Sequence, residues 1–408
     1  MRGLIRGRAV AGGMAAAASL ALLFAGGAPA GAAGIPEPAP DVPAPVISAP
    51  AELATGVPIP VTGTNALDGA RITLERRAAD GWTVVKSTRA SAKGRFRFTY
   101  APGVAAPSYR LRAVAQDAVG VSVTVKVRDV TFSAVGDVNL GDVPGQQIAR
   151  HGVNWPWASV GAALRGADVA MANLECAISR RGAPVQKQYR FRGAPASLRA
   201  AAKVGGIDVM NLANNHIGDY GNLALRDSIG YVREYGMTPA GAGYDLNGAL
   251  TPGVVTRLGL RIAVVGLNNI LPYEFAASSS RAGLAWADRA NVVRAVKAAR
   301  KKADVVIATF HWGIELQRTE NAEQRALAQV AFDAGADAVI GGHPHVLQPM
   351  RAVGAHRFVA YSLGNFVFGA ASAGTTSTGI LTLRLSSRGV EGHSFRRATI
   401  SGGRPILR

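Results

Sequence analysis

Residues 322–345, AEQRALAQVAFDAGADAVIGGHPH, contain the pattern that decides the fold. Apolar residues at helical spacing predict a helix over Ala322–Ala334, and Gly335 follows its end. A short apolar strand, Ala338–Ile340, comes next and runs directly into the sequence Gly-Gly-His-Pro-His at 341–345. A helix followed by a buried strand is typical of a layered α/β domain, and here the strand ends in residues that can carry chemistry.

The same alternation of strands and helices extends over the rest of the chain after about residue 129. Strands are predicted at Val130–Val135, Val169–Asn173, Val209–Ala213, Ile262–Gly266, Val305–Phe310, Phe358–Tyr361 and Ile380–Leu385. Further helices are predicted at Ala196–Val204, Leu223–Tyr235 and Arg289–Lys302, and either Asn321 or Thr319 is expected to cap the helix quoted above. Because the strands are apolar throughout, we expect both faces of the sheet to be covered.

Unusual polar residues stand where these predicted strands end. Four of the seven histidines in the chain are among them. In open α/β sheets, ligands and catalytic groups gather at the carboxyl ends of the strands. The strand ends are Gly136-Asp137, Asn173-Leu174-Glu175, Asn214-Asn215-His216, His311-Trp312-Gly313, Gly341-Gly342-His343-Pro344-His345 and Tyr361-Ser362-Leu363-Gly364-Asn365.

These strand ends together predict a metal site for anionic substrates. Carboxylate, amide oxygen and imidazole form a ligand set that suits Zn²⁺, Mn²⁺ or Fe. Alternate residues of His343-Pro344-His345 can point into one cavity, and the proline stiffens that segment. A single Gly-Asp or Asn-His is usually turn chemistry. Several such elements in one order, all at strand ends, favour a metal site instead.

In their order, these motifs resemble the calcineurin-like metallophosphoesterase superfamily. The variants GDVNLG, ANLE, NLANNHIGDYG, HWGIE, GGHPH and YSLGNF resemble more closely the bacterial capsule-synthesis (CapA-type) proteins linked to poly-γ-glutamate. The resemblance covers about residues 130–390 and implies a four-layer α/β/β/α sandwich. It says nothing about the residues that precede it.

The resemblance also implies roles for individual residues. The implied metal ligands are Asp137, Glu175, Asn215, His311, His343 and His345. His216 would protonate a leaving group or contact the transition state, and Asp219 would orient it by accepting its ring proton. Asn139 stands where the superfamily has a histidine, and Glu175 where it has a bridging aspartate. We therefore expect one or two divalent ions (Mn, Zn or Fe), with Asn139 a weak ligand or a substrate contact.

The predicted reaction is metal-assisted hydrolysis or transfer at an anionic ester or amide. Arg190 and Arg192 offer planar donors for phosphate or carboxylate, although a solvated strand face explains them equally well. The resemblance implies that the substrate belongs to poly-γ-glutamate biosynthesis or processing, with membrane-bound capsule synthase subunits as further partners. The alternative is a non-catalytic factor that binds this polyanion and positions or exports it.

Composition limits the class of protein. The chain has 408 residues, of which 48% are hydrophobic and 17% charged, so wholesale disorder is excluded. A formal charge of +19 attracts anions, although arginine-rich codon usage explains it equally well. Nucleic-acid binding needs basic clusters interleaved with stacking aromatics. Aromatic residues make up only 6% of the chain, so we do not expect nucleic acid to be a partner. The single cysteine, Cys176, cannot form an internal disulfide and is expected to pack in the core.

The N-terminal residues predict export. Residues 1–33 place Arg2, Arg6 and Arg8 before an Ala/Leu-rich stretch with small-residue cleavage sites, as in a signal peptide or a membrane anchor. We expect the protein to be secreted or held on the extracellular face of the membrane. Cleavage would lower the formal charge from +19 to +16.

Two further segments separate this signal from the α/β domain at 129–408. Residues 34–50 are rich in proline and predict a semi-rigid linker. Residues 51–128 contain short alternating runs with turn signals between them, which predict a small β-sandwich of immunoglobulin or fibronectin type. Such a module would serve as a spacer or bind the cell surface.

Overall fold

A computed structural model describes residues 42–103, 105–370 and 372–408. The predicted export signal and the first part of the predicted linker, residues 34–41, lie outside this range. The end of that linker was wrongly assigned, because Val46–Ser48 is a strand that pairs with Ile59–Thr64. Within the described residues, no helix has the length and apolar character needed to cross a membrane.

The first strands form two antiparallel-rich sheets, ordered β1-β3-β6 and β2-β9-β7-β4-β5, with β8 beside β7. Their bounds are Val46–Ser48 (β1), Glu52–Ala54 (β2), Ile59–Thr64 (β3), Arg71–Ala78 (β4), Gly81–Arg89 (β5), Phe96–Tyr100 (β6), Ser108–Ala115 (β7), Ala118–Val119 (β8) and Val123–Arg128 (β9). Apolar residues from both sheets, such as Val61 and Leu111, share one core. The immunoglobulin-like topology stays a prediction.

The later strands form two larger sheets. One is ordered β15-β14-β11-β10-β25-β26-β27, with β24 beside β10, and the other β17-β18-β20-β21-β23-β22. Small pairs join β12 to β13 and β16 to β19. The bounds are Val130–Val138 (β10), Val169–Leu174 (β11), Ala177–Ile178 (β12), Arg192–Gly193 (β13), Val209–Asn211 (β14), Thr238–Ala240 (β15), Ala242–Gly243 (β16), Gly253–Arg257 (β17), Leu260–Asn268 (β18), Gly283–Leu284 (β19), Val305–His311 (β20), Ala338–Gly342 (β21), Met350–Ala352 (β22), Phe358–Ala360 (β23), Asn365–Val367 (β24), Ser377–Ser386 (β25), Gly389–Ser401 (β26) and Arg404–Leu407 (β27).

The helices lie between these strands. Their bounds are Asp142–His151 (α1), Gly161–Arg165 (α2), Pro195–Ala200 (α3), Gly221–Glu234 (α4), Leu246–Ala249 (α5), Arg289–Arg300 (α6), Ala322–Ala334 (α7) and Ala373–Thr376 (α8), with 3₁₀ turns at Trp155–Trp157 and Tyr273–Phe275 and a π turn at Ala201–Gly205. The predicted α7 is confirmed: Asn321 and Gln324 form a capping box, and Gly335 ends the helix in the left-handed conformation.

The two larger sheets share an apolar cluster, which contains Phe132 and Val169 from one sheet and Ile262 and Ile307 from the other. Two further clusters join helical side chains to the opposite face of each sheet. The predicted α/β class is thus confirmed, and the clusters are what a four-layer sandwich requires, although that arrangement stays a prediction. The predicted boundary at 128/129 falls between β9 and β10, but residues 42–408 pack as one unit.

Candidate metal centre

The parallel strands bring the predicted ligands to one edge of each sheet. Asp137 in β10 is the register partner of Asn173 in β11, and His311 at the end of β20 is the partner of Gly342 in β21. Three of these strands are buried at every residue, and β10 at every residue but Thr131. Their carboxyl ends therefore place polar side chains side by side in a region with little access to water.

All six predicted ligands come together in this region. Potential ligand atoms of Asp137, Glu175 and His311 lie within 4.8 Å of one another, and so do those of Glu175, His343 and His345. Glu175 belongs to both groups, and this allows one or two ions. The remaining predicted ligand, Asn215, places its Oδ1 2.9 Å from His311 Nε2.

Glu175 is the residue whose surroundings most clearly fit a bound cation. Its side chain is fully buried, and neither carboxylate oxygen has a hydrogen-bond partner. Its Oε1 lies 3.4 Å from His311 Nε2 and 4.0 Å from His345 Nε2. Burial, together with the nearby charge of Asp137, raises the pKa of Glu175 well above its usual value. A buried carboxylate without a partner is costly, and a bound cation removes that cost, so the donor set fits a divalent metal ion.

The pKa of Asp137 is shifted in the opposite direction. Burial alone would raise its pKa, but hydrogen bonding to His345, the charge of His311 and a hydrogen bond from Asn173 together lower it below the usual range. Asn173 Nδ2 donates to Oδ1 at 2.8 Å, and the backbone N–H of His343 donates to Oδ2 at 3.0 Å. The pKa values of the two neighbouring carboxyl groups are therefore shifted in opposite directions, as expected when two such groups share a buried site.

Two of the three clustered histidines are held in the neutral form, which is the form that binds metals. Burial lowers the pKa of His311 well below its usual value and that of His343 to about 3, which keeps both rings neutral. His343 Nδ1 is buried without a hydrogen-bond partner. For His345, burial lowers the pKa, but contact with the Asp137 carboxylate raises it more, so the net shift is upward.

The loop after β21 depends on unusual backbone geometry. His343 and His345 have φ values of 93° and 59°, which non-glycine residues rarely adopt and which concentrate at functional sites. A Cβ at Gly342 would lie 2.4 Å from Asp137 Oδ1, and one at Gly136 would lie 1.9 Å from the carbonyl oxygen of Gly364. The Gly-Asp and Gly-Gly-His-Pro-His sequences thus allow the close approach that the cluster needs.

A second set of contacts surrounds His216. Its Nε2 lies 4.0 Å from Glu175 Oε1, and its Nδ1 lies 2.6 Å from Asp219 Oδ2, which is the contact that the resemblance implies. Asp219 is fully buried and also accepts from Lys187 Nζ at 2.9 Å and from the backbone N–H of Phe191 at 2.7 Å. Burial lowers the pKa of His216, although its partner Asp219 acts in the opposite direction.

Lys187 connects this pair to a predicted ligand. Its Nζ donates to the backbone oxygen of Asn215 and lies 3.1 Å from His216 Nδ1. Burial lowers the pKa of Lys187, and the Asp219 carboxylate opposes that shift. The amine is therefore enclosed at the rim of the cluster rather than free in solvent.

The three predicted substrate contacts lie in different environments. Asn139 is buried beside the cluster, where its Oδ1 accepts from the backbone N–H of Gly141 at 2.8 Å and its Nδ2 has no partner. Arg190 and Arg192 are not brought into the cluster. Both are exposed: Arg190 donates to the carbonyl oxygen of Val185, and Arg192 stacks over Tyr220 at 4.1 Å. Most of this segment is an irregular loop, so alternation along a strand does not decide which side chain faces inward.

Three residues that contact the predicted ligands or the His216–Asp219 pair were given no role from the sequence. Asn173 bonds Asp137 and lies 3.2 Å from His311 Nδ1, Lys187 bonds Asp219, and Asn365 places its Oδ1 2.8 Å from His345 Nδ1. Asn173 and Asn365 belong to strand-end motifs that the sequence singled out without giving them a role. Lys187 had no comparable signal, because its neighbours come from residues about thirty positions further along the chain.

Comparison with known sequences gives consistent matches to this part of the chain. The profile of the family described as "Bacterial capsule synthesis protein PGA_cap" matches residues 131–370. "PGA biosynthesis protein CapA" of Bacillus subtilis (strain 168) is 30% identical over 267 residues, which is 64% of this chain and 69% of that protein. "Capsule biosynthesis protein CapA" of Bacillus anthracis is 29% identical over 270 residues, covering 64% and 65%. The matches thus span about two thirds of the length of both relatives.

A mycobacterial protein is also similar. "Probable polyglutamine synthesis accessory protein Rv0574c" of Mycobacterium tuberculosis is 31% identical over 210 residues, covering 48% of this chain and 55% of that protein. Among solved structures, TT1561 of Thermus thermophilus superposes with a TM-score of 0.35 and 12% identity, covering 65% of this chain and 99% of that one. That score is too low to assign a fold.

Proposed function

Because this chain belongs to the family of bacterial capsule synthesis proteins, we propose that it is an exported metal-dependent hydrolase or transferase of poly-γ-glutamate capsule biosynthesis or processing. The observation that carries the catalytic part is Glu175: both of its buried carboxylate oxygens lack a hydrogen-bond partner, and Oε1 lies within 4.0 Å of a ring nitrogen of three histidines. Export rests on the N-terminal sequence, and membrane-bound capsule synthase subunits are proposed partners.

The proposed ligands are the six clustered side chains, which are Asp137, Glu175, Asn215, His311, His343 and His345. A divalent cation held by these residues would supply Lewis-acid chemistry, polarising an ester or amide oxygen and lowering the pKa of water to near neutrality. The chain's own contribution is to hold these donors in place. Asn173 fixes Asp137, and Asn365 fixes His345, each through one hydrogen bond.

His216 is the proposed proton donor to the leaving group. Asp219 accepts from Nδ1, and this contact orients the ring and favours its doubly protonated form, whose Nε2–H is the proton to be given and points toward Glu175 and the proposed metal position. Lys187 donates to Asp219 and to the backbone of Asn215, so it couples the orientation of the acid to that of a ligand. We assign Lys187 a positioning role, because its contacts are to these residues.

The proposal is tested on the purified chain lacking the N-terminal signal. The protein is loaded with Mn²⁺ or Zn²⁺ and assayed on a phosphomonoester, a phosphodiester and a γ-glutamyl amide. We expect metal-dependent turnover of at least one substrate class, and loss of both metal and turnover in Asp137→Ala. A folded protein that binds no divalent metal overturns the proposal.

The charge of the chain supports a second candidate, which is a non-catalytic factor that binds the polymer and positions or exports it. The chain carries 45 basic and 26 acidic side chains, and a polycarboxylate would neutralise this excess. The two candidates differ over His216. If cells that produce only the His216→Ala protein make normal amounts of polymer, the binding role is favoured, and if they make none while the protein stays folded, the enzyme is favoured.

A further inference from the structure

The segment before residue 131 lies outside the family match and has no assigned role. It is also the most basic part of the chain. Residues 51–128 carry twelve Lys and Arg against five Asp and Glu, whereas residues 129–408 carry thirty against nineteen. The excess of positive charge per residue is therefore about twice as high in residues 51–128, which we call the N-terminal module.

The strands of the six-stranded sheet of the N-terminal module direct alternate residues outward, and several of these are arginines. On β7, Leu111 and Ala113 are buried, while Arg110 is exposed and Arg112 is half-buried. Arg77 on β4 is exposed and pairs across the sheet with Trp82 on β5. These residues belong to adjacent strands and so form one basic face around an aromatic ring.

The basic face contains a cleft of about 330 Å³, which is lined by Arg77, Trp82, Arg110, Arg112, Gly120 and Ser122. Its lining residues include three arginines and no acidic side chain. The acidic neighbour Glu75 is already engaged, because its Oε2 lies 2.7 Å from Arg112 Nε. That ion pair uses one edge of the guanidinium, and its other donors are available to a ligand.

The arginines of this cleft are held in place before any ligand arrives. The guanidinium of Arg112 lies 4.3 Å from the centroid of the Trp82 ring and that of Arg77 lies 5.8 Å from it. Arg110 Nε donates to Ser122 Oγ at 2.8 Å. Because these contacts restrict long side chains, binding an anion costs less conformational entropy than it would on a free surface.

We infer that this cleft is a second polyanion-binding site, separate from the metal centre, which holds carboxylates of a linear polycarboxylate. Planar guanidinium groups bind carboxylates through paired hydrogen bonds. Residues two apart on a strand are spaced by about 6.6 Å and neighbouring strands by about 4.8 Å, so the arginines can contact successive carboxylates of one polymer. The choice of a carboxylate polymer rests on the proposed function.

The test uses the purified mature chain and poly-γ-glutamate of defined length, with affinity measured by isothermal titration calorimetry in about 0.15 M salt. The variant Arg77→Gln/Arg110→Gln removes two charges from the cleft and keeps the Glu75–Arg112 ion pair. The control Lys93→Gln/Arg97→Gln removes two exposed charges from the same module, one of them on the three-stranded sheet. Thermal melts establish that both variants are folded.

We expect the cleft variant to bind at least about tenfold more weakly, since it loses the charge-assisted hydrogen bonds of two guanidinium groups, and the control to stay within about twofold. Equal losses in the two variants overturn the site, because they indicate a diffuse field. Equal affinity of the wild type for polyphosphate of matched charge overturns the assignment to carboxylates.

The same assay separates this inference from the proposed function. His343→Ala removes a proposed metal ligand, and we expect the cleft substitutions to weaken binding by the same factor in His343→Ala as in the wild type. If His343→Ala loses binding and the cleft variant does not, the polymer binds at the metal centre and the inference is wrong. If the metal centre proves inactive while the cleft still binds, only the proposed function fails.

Discussion

The N-terminal sheets and the later sheets bury their strands in different ways. In β3, buried and exposed residues alternate along the strand, whereas every residue of β11 is buried. A strand of the first kind has one face in water, where charged side chains are solvated. In a strand that is buried on both faces, such as β11, polar side chains cannot reach water.

This difference determines whether a charged side chain is solvated by water or must be compensated by another group of the protein. Arg110 in the N-terminal module reaches solvent, so its charge is available to a large ligand. Glu175 follows a strand buried on both faces and has no access to water, so its charge must meet another charge within the protein. Matched substitutions at buried and exposed positions test this contrast.

The largest expected effect is on activity at the metal centre. His343→Ala removes a proposed ligand with a buried ring, and we expect turnover of the metal-dependent substrate to fall by about 10³-fold or more, which corresponds to about 4 kcal/mol. His151→Ala removes an exposed histidine at the end of α1 and should leave turnover within about twofold. Steady-state kinetics with a fixed metal supply measure both. Equal turnover in the two variants would remove His343 from the proposed mechanism.

Much of this region was predictable from local patterns. Apolar runs located β10, β11, β20 and β21, because a strand buried on both faces has few polar residues. Capping and turn residues located α7, since those signals are contained within a few positions. The six predicted ligands followed from their place at strand ends together with the resemblance, and their side chains lie close together.

The remaining contacts depend on tertiary neighbours that local patterns do not report. Lys187 lies in an irregular loop and bonds residues 28 to 32 positions away. Val46–Ser48 is a strand despite its proline-rich surroundings, because an edge of β3 was free to pair with it. The inward direction of Lys187 and the outward direction of Arg190 could not be separated by composition alone.

Stability should also differ between the two kinds of strand. Phe132 in β10 is fully buried between the larger sheets, and Phe132→Ala should lower the free energy of unfolding by about 3–5 kcal/mol. Val84 in β5 is 56% exposed, and Val84→Ala should lower it by at most about 0.5 kcal/mol. Urea unfolding followed by circular dichroism measures both. Equal losses would mean that the contrast in burial has no energetic counterpart.

Lys187 tests the positioning role. Lys187→Met keeps most of the side-chain volume but removes the donors to Asp219 and Asn215, so we expect kcat to fall by about 10–100-fold with unchanged metal content. The pH profile of kcat should also shift, because His216 loses a charged neighbour. Arg190→Gln, in the same loop but exposed, should change neither quantity. Loss of metal in Lys187→Met would instead make Lys187 a structural support of the ligands.

The smallest expected effect is at the junction between β9 and β10. Asp168 accepts from Thr131 and pairs with Arg128; burial raises its pKa, but these partners lower it to a net value of about 2. A lowered pKa contributes stability above the unfolded value of about 3.9, which is lost as the pH falls through about 2. Asp168→Asn should therefore lower the unfolding free energy by about 1 kcal/mol at pH 7 and have little effect near pH 2. A pH-independent difference would mean that the ion pair contributes nothing.

The most direct test of the account is the metal content of the folded chain. The purified wild type and Glu175→Gln are stripped with a chelator, reloaded with Mn²⁺ or Zn²⁺, and measured by elemental mass spectrometry and thermal melting. We predict one or two ions per wild-type chain, a melting temperature that rises on loading, and a marked loss of both in Glu175→Gln. A folded wild-type chain that retains no ion above background and melts at the same temperature with and without metal would contradict the account.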